Sequence, residues 1–403
     1  MNRIRTSGGG VALLLAAAMM SSPQALSGQR LLLPAGKLDS AALQNPLQMI
    51  DFVFVDDRPK AAALFAELLT RERDIDPAMA VQIRYLRAVA ASEQDVVIAE
   101  YRELARTRGN EFRYALPRVL LATGEYTEAI RVARQWQPAP GAPGRPLREE
   151  IEATVARLRG EHPRALALAR AMRQFPGQAR NQAALALELA SLAHITKAEG
   201  GESVPRQTLR ALLDSALATP PRGFRIDPVL VFSGYGDALK DAGHHDLAAI
   251  AWQRALALLD STASRAADRG PLVQDSIRVS RGRLLYALGR YADARPLLQT
   301  PSGRRDLREQ YRKGWLAITA MHLGDTATAR QLEAQLAADT AHALRGATAM
   351  ARASIAEALG DPRRGASYIL AQRNAIDVRT LQSQWQLRRT LQDSKLLAWM
   401  RGR

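Results

Sequence analysis

No cysteine occurs anywhere in the 403 residues of this chain. That excludes disulfide staples, thiolate zinc sites and a lipid carried on an N-terminal cysteine, so the fold is stabilised by packing alone. Aromatic residues are scarce, at 5%. Sheets draw on β-branched and aromatic side chains, whereas helices draw on Ala and Leu, which dominate the 47% apolar fraction. The expected class is all-α. Long apolar runs are missing as well: the stretch from Val11 to Met20 falls well short of the roughly 20 residues that a permanent membrane-spanning helix needs.

Catalytic signatures are equally thin. Histidine is limited to six positions, and the one adjacent pair, His244-His245, falls in a turn slot where a polar or aromatic residue is expected for structural reasons. His322 and His342 sit on different helices with no Glu at metal-ligand spacing. The Gly8-Gly9-Gly10 run belongs to the leader, and Gly234-Tyr235-Gly236 lies within a helical pattern, without the preceding strand that a phosphate loop needs. No nucleophile elbow or Ser-x-x-Lys motif stands in a strand-to-helix context. The paired acids Asp56-Asp57 and Glu149-Glu150 fall at helix starts, where negative charge offsets the helix dipole. No catalytic, cofactor-binding or metal residue is assigned, and the chain is not expected to be an enzyme.

What is present begins with a leader. Arg3 and Arg5 precede the apolar run, and a polar stretch ends in Ala25-Leu26-Ser27, with small residues placed for a signal peptidase. This layout predicts cleavage after Ser27 and a periplasmic or secreted protein. The alternative is an uncleaved leader on a cytoplasmic regulatory protein. The formal net charge is +16, and loss of the leader's two arginines leaves +14. Such a surplus attracts anions in general. It is carried almost wholly by arginine, a bias that a GC-rich genome produces as readily as selection for a ligand. Two clusters stand out, Arg304-Arg305-Arg308-Arg312-Lys313 and Arg157, Arg159, Arg164, Arg170 and Arg173. In an exported protein nucleic acid is not the expected partner; acidic proteins, anionic head groups or anionic envelope polymers are.

The chain's organising feature is a repeat. Gly282 to Ala294 and Ala317 to Ala329 carry the same pattern: a small residue, a Gly seven later that ends an apolar-periodic helix, and an Ala five after that on the next helix. Turn glycines recur at Gly124, Gly160, Gly243, Gly289, Gly324 and Gly360, with intervals of 36, 35 and 36 where the series is regular and a degenerate turn near Gly200-Gly201. The small residues pair as Ala153 with Ala165, Gly236 with Ala248, Gly282 with Ala294, Ala317 with Ala329, and Ala353 with Gly365, and each pair is expected to face across a close helix crossing. In the Gly124 unit Pro117 takes the place of the first small residue, which predicts a kink or a late helix start. Tyr126, His162, His245 and Tyr291 stand two residues after their glycines, and Trp252 and Leu298 four after the second small residue.

With these spacings, residues 110–370 resemble the tetratricopeptide repeat family, in degenerate form. The resemblance implies a right-handed α-solenoid of stacked antiparallel helical hairpins with a concave face. The expected organisation is a signal peptide at 1–27, N-terminal helical hairpins at 28–109, repeats at 110–373, and a C-terminal capping helix and tail at 374–403. The Pro-rich stretch 137–146 is read as a long turn inside the array, since the repeat phase continues across it; a two-domain boundary is the alternative. The polar segment from Gln382 to Arg389 and the helix from Lys395 to Met400 are expected to form a solvent-facing cap. The function expected is an exported non-catalytic scaffold that holds a protein or peptide partner on its concave face. An envelope enzyme, or an accessory factor acting on anionic polymer, is the rival from another class.

Overall fold

Turn chemistry sets the architecture. The computed structural model describes residues 58–70, 72, 77–107, 110–138, 146–175, 181–198, 204–218, 228–265, 271–301 and 307–401, and every regular element among them is helical. The all-α expectation holds. The leader, Asp56-Asp57, the turn near Gly200-Gly201 and Arg304-Arg305 lie outside the described residues.

Helix α1 (Arg58–Leu69) is followed by α2 (Pro77–Ala90) and α3 (Gln94–Thr107). Seven hairpins come next: α4 (Asn110–Thr123) with α5 (Tyr126–Gln135), α6 (Leu147–Leu158) with α7 (His162–Gln174), α8 (Gln182–Ala198) with α9 (Val204–Ala218), and α10 (Pro228–Asp241) with α11 (His245–Arg265). The last three are α12 (Pro271–Ala287) with α13 (Tyr291–Gln299), α14 (Leu307–His322) with α15 (Thr326–Ala338), and α16 (Arg345–Ala358) with α17 (Pro362–Ala371). Two short helices, α18 (Val378–Gln382) and α19 (Ser394–Met400), alternate with 3-10 turns in the C-terminal segment.

Each turn glycine has positive φ, Gly289 for example +75°, and a Cβ there would meet nothing within 4 Å. Backbone conformation, not space, selects Gly at these positions. The amide of Gly289 donates to the Tyr286 carbonyl at 2.9 Å and that of Arg290 to Leu285 at 2.9 Å, the Schellman pattern that satisfies the last carbonyls of a helix. Next comes a helix start that is sometimes capped: Asp325 accepts from the Thr328 amide and Asp361 from the Arg364 amide, both at 3.0 Å. The α2–α3 connection repeats the Schellman pattern with Ser92 in the glycine's place, at φ 56°.

Glycines at the helix crossings have the opposite reason. At Gly236 a Cβ would overlap the indole of Trp252, and at Gly282 it would lie 2.8 Å from Leu298 Cδ2. The expected pairing of small residues is thereby corrected in detail. Each of these glycines makes room for the large side chain one turn beyond Ala248 or Ala294, so small and large residues interlock across the crossing. In the last hairpin the relation is the direct one, since a Cβ on Gly365 would come 3.2 Å from the Ala353 carbonyl oxygen. Pro117 is also corrected in part, because α4 runs through it from Asn110 and no late start occurs.

Successive hairpins touch, and so do successive first helices: α4 with α6, α6 with α8, α8 with α10, α12 with α14, and α14 with α16. The Pro-rich stretch is bridged by ion pairs, Arg118 to Glu150 and Arg134 to Glu152 at 2.8 Å, and one core continues from Ala133 to Leu147 and Ile151. That core does not stop at the N-terminal hairpins. It joins residues from Phe65 to Leu158 with residues from Ala349 to Met400, so the two ends of the helical array are packed together. At this closure the Ser92 hydroxyl donates to the Ala343 carbonyl at 2.9 Å, and the Arg345 guanidinium donates to the carbonyls of Ala91 and Ser92 at 2.9 and 2.8 Å.

The C-terminal segment overturns one expectation. Leu381, Leu387, Thr390 and Leu396 have no exposed surface and Met400 has 5%, so this is not a solvent-facing cap. The apolar residues interspersed among its polar ones are spaced for burial in an irregular path, which neither helical nor strand periodicity reveals.

Candidate functional site

The surface with the richest chemistry is the one the first helices share, and the C-terminal segment lies on it. On α10, Ser233, Asp237 and Lys240 follow one another at four- and three-residue spacing and so occupy one helix face. Asp237 is buried and central. Its Oδ1 accepts the indole N–H of Trp252, from its own hairpin, and that of Trp385, from the C-terminal segment, each at 3.2 Å; its Oδ2 pairs with Arg283 on α12. The Arg283 guanidinium also donates to Ser233 Oγ at 2.6 Å and lies over the Trp315 ring, 5.5 Å from its centroid.

Trp385 is half-buried in an aromatic seat. Its ring stacks on Tyr286 at 5.9 Å and 19°, tilts against Trp252 at 5.8 Å, and carries the Lys240 ammonium 5.5 Å from its centroid. Tyr286 continues the cluster to Trp315 at 5.1 Å and to Tyr291 at 5.3 Å, and its hydroxyl meets His322 Nε2 at 3.2 Å. Burial raises the Tyr286 phenol above its ordinary value and lowers both the Lys240 ammonium and the His322 imidazole. The seat therefore favours uncharged partners except where Asp237 supplies a counter-charge.

A second anchor stands on α16. Glu357 is buried and its carboxylate is engaged entirely by the C-terminal segment. Oε1 accepts the Arg389 backbone N–H at 3.1 Å and its Nε at 3.0 Å, while Oε2 accepts the Thr390 N–H at 2.7 Å and its hydroxyl at 2.6 Å. The Glu357 carbonyl takes the Arg389 guanidinium at 2.6 Å. Charge-assisted bonds of this kind are about twice as strong as neutral ones. Room for the segment is provided by two more glycines. A Cβ on Gly365 would lie 2.8 Å from Thr390 Oγ1, and one on Gly346 would overlap the Ala375 carbonyl oxygen.

A third polar group is built from α6, α7, α8 and α10. His162 and His194 stack with ring centroids 4.2 Å apart, and His194 Nε2 is 3.4 Å from Asp241. Arg157, half-buried, feels Asp241, Tyr126 and Arg379 electrostatically, and desolvation lowers its pKa. Arg379 is itself paired with Asp377 at 2.8 Å, and the Tyr126 hydroxyl donates to the Met400 carbonyl at 2.5 Å. Burial, with His194 and Arg157 adding repulsion, lowers His162 to about 4. Its Nδ1 is buried without a hydrogen-bond partner.

The residues singled out in the sequence fare unevenly. His244 Nε2 bonds the Ala193 carbonyl at 2.8 Å and His245 Nδ1 meets Lys240 Nζ at 2.6 Å, both structural contacts. The stacked pair that does form, His162 with His194, joins different hairpins. Tyr291 stacks on His322 in the same way, at 4.2 Å, so the side chain two after a turn glycine reaches the next hairpin's first helix. Among the described residues the basic clusters are partly neutralised by neighbouring acids. Arg312 is buried on Glu309, and Arg164, Arg170 and Arg173 are spent on Glu161 and Glu188. Among the described residues no group of three or more His, Asp or Glu is placed to hold a metal ion. Asp237, Glu357 and Trp385 escape sequence reasoning, because their partners lie 148 and 32 or 33 residues away with no periodic relation.

Comparison with known proteins gives no matching family model and no significantly similar curated protein.

Proposed function

We propose that this chain is an exported, non-catalytic scaffold: an α-solenoid of helical hairpins, similar to tetratricopeptide repeat proteins, that takes a protein or peptide partner on the face made by its first helices. One observation carries the reading. First helices from hairpins far apart in sequence converge on a single irregular stretch of polypeptide and hold it by one carboxylate aimed at two backbone N–H groups, by a second that accepts an indole N–H, and by an aromatic seat. That is peptide-holding chemistry, and the hairpins behind it are free to vary at this face without disturbing their glycine turns and small-residue crossings.

The test is site-specific photocrosslinking in the native host. A photoreactive residue replacing Lys240, on the first-helix face, is expected to give discrete protein adducts, while the same residue replacing Arg131 on the exposed side of α5 gives none. Adducts from Arg131 alone would sink the reading. Export is tested separately by N-terminal sequencing of the isolated protein: Gly28 is the expected first residue, and a Met1 start in the cytosol would move the scaffold to the cytoplasm.

A further inference from the structure

We propose that residues 377–401 are a resident peptide ligand of the first-helix face, and that the external partner is a peptide carrying Trp followed four and five residues later by Arg and Thr, which takes the same seat when the resident segment leaves. This deepens the scaffold reading and rests on it.

Three features, and the spacing between two of them, make the seat a recognition site for this pattern. Asp237 and the Trp252, Tyr286 and Lys240 side chains accept an indole by hydrogen bond, by stacking and by cation–π contact. Glu357 binds two consecutive backbone N–H groups together with the Arg and Thr side chains that carry them. Gly365 gives the Thr side chain its space. The two anchors come from α10 and α16, so they read the separation between Trp and Arg-Thr as well as their identity.

The resident segment is built like a ligand rather than like another hairpin. Its two helices have five and seven residues, joined by single 3-10 turns, too short to be stable alone. Its order comes from the surface it lies on. Trp385 packs against both of the core clusters made by the α8–α12 and α12–α16 helices, while staying half-exposed. Arg389 keeps more than half of its side chain in solvent, at 58%, although its backbone is clamped. A partner peptide therefore meets a rim that is already open.

Three measurements on the full-length chain test the proposal. In the first, a fluorescent peptide of residues 381–392 is titrated against wild type and against Trp385→Ala, with circular dichroism confirming that the variant is folded. The peptide is expected to bind the variant at least tenfold more tightly than wild type, and a peptide with its own Trp385→Ala change to lose that binding. No binding to the folded variant, or equal binding of a scrambled peptide, overturns the proposal. In the second, native-state hydrogen exchange is read on wild type. The amides of Thr390 and Leu396 are expected to exchange at least tenfold faster than those of α16, through an opening of the segment alone. Exchange of both only with global unfolding would make the segment permanent core and overturn the proposal. Sedimentation separates the other occupant: a concentration-dependent dimer that exchanges its C-terminal segments would assign the seat to a second copy and overturn the external-partner claim. Failure here leaves the crosslinking result at Lys240 intact, and failure there leaves the peptide titration intact, so the two readings fall separately.

Discussion

The hairpins and the C-terminal segment are held by different physics. Between helices of a hairpin the contact is steric: glycines at 236 and 282 leave space that Trp252 and Leu298 fill, and Ala294, Ala317 and Ala329 have no exposed surface. Between the array and the segment, apolar burial of Leu381, Leu387 and Leu396 is joined by a polar and directional contact, centred on two buried carboxylates that accept backbone and indole N–H groups. A steric crossing tolerates apolar exchange of equal volume and resists enlargement. A carboxylate clamp resists deletion, since each donor it leaves behind is buried and unpaired.

Deleting the clamp has the largest expected effect. Glu357→Ala strands the buried Thr390 N–H and hydroxyl, and a cost of about 3 kcal/mol follows from the loss of charge-assisted bonds to buried donors. Chemical denaturation read by circular dichroism measures it. A change below about 0.5 kcal/mol would erase the distinction between the two regions. Enlarging a crossing comes next: Ala294→Leu forces bulk against α12 beside the space that Leu298 already fills, and overpacking of this kind costs about 1–3 kcal/mol. An unchanged thermal midpoint in that variant would refute the interlocking described for the hairpins.

The crossing and the turn were legible in the sequence, and the clamp was not. Gly289 and Gly324 can be read because a backbone requirement admits few residue types and recurs at the repeat period. The hairpin boundaries follow from it: the helices before these glycines end at Ala287 and His322, and the next ones begin at Tyr291 and Thr326. Glu357 and Trp385 answer no period. A carboxylate on a helix of ordinary composition looks solvated until the segment that buries it is in place, and a polar C-terminal stretch looks like a cap for the same reason. Arg312 misled in the opposite direction, since its charge suggested a surface while Glu309 three residues earlier neutralises it inside.

Acid titration probes the contact between neighbouring hairpins at lower energy. His162 is held neutral in the folded chain, with its pKa lowered to about 4 by burial first and by His194 and Arg157 after it, against 6.5 in an unfolded chain. Between those values the unfolded state binds more protons, so the stabilisation is complete above about pH 6.5 and is lost as pH falls towards 4. The ring is only half-buried, and solvent screens part of the effect. His162→Gln is expected to flatten the dependence of the thermal midpoint on pH in this window; an identical profile in the variant would show that the ring does not titrate with folding.

The smallest effect sits at Ser92, where the two kinds of physics meet in one residue. Its backbone does what glycine does in the other turns, at φ 56°, a conformation that costs a residue with a Cβ on the order of 1 kcal/mol. Its hydroxyl does what no glycine can, reaching the Ala343 carbonyl across the closure between the two ends of the array. A buried hydrogen bond is worth about 1 kcal/mol, so the strain and the bond nearly cancel. Ser92→Gly gives up both and is expected to leave stability within about 0.5 kcal/mol of wild type. Ser92→Ala keeps the strain and loses the bond, and is expected to cost about 1 kcal/mol. Equal stability of the Ala and Gly variants would mean that φ at this turn carries no penalty, and the use of glycine in the other six would then need a different reason. If instead the Ala variant matches wild type while the Gly variant is the more stable, the closure contact contributes nothing and the turn alone governs this position.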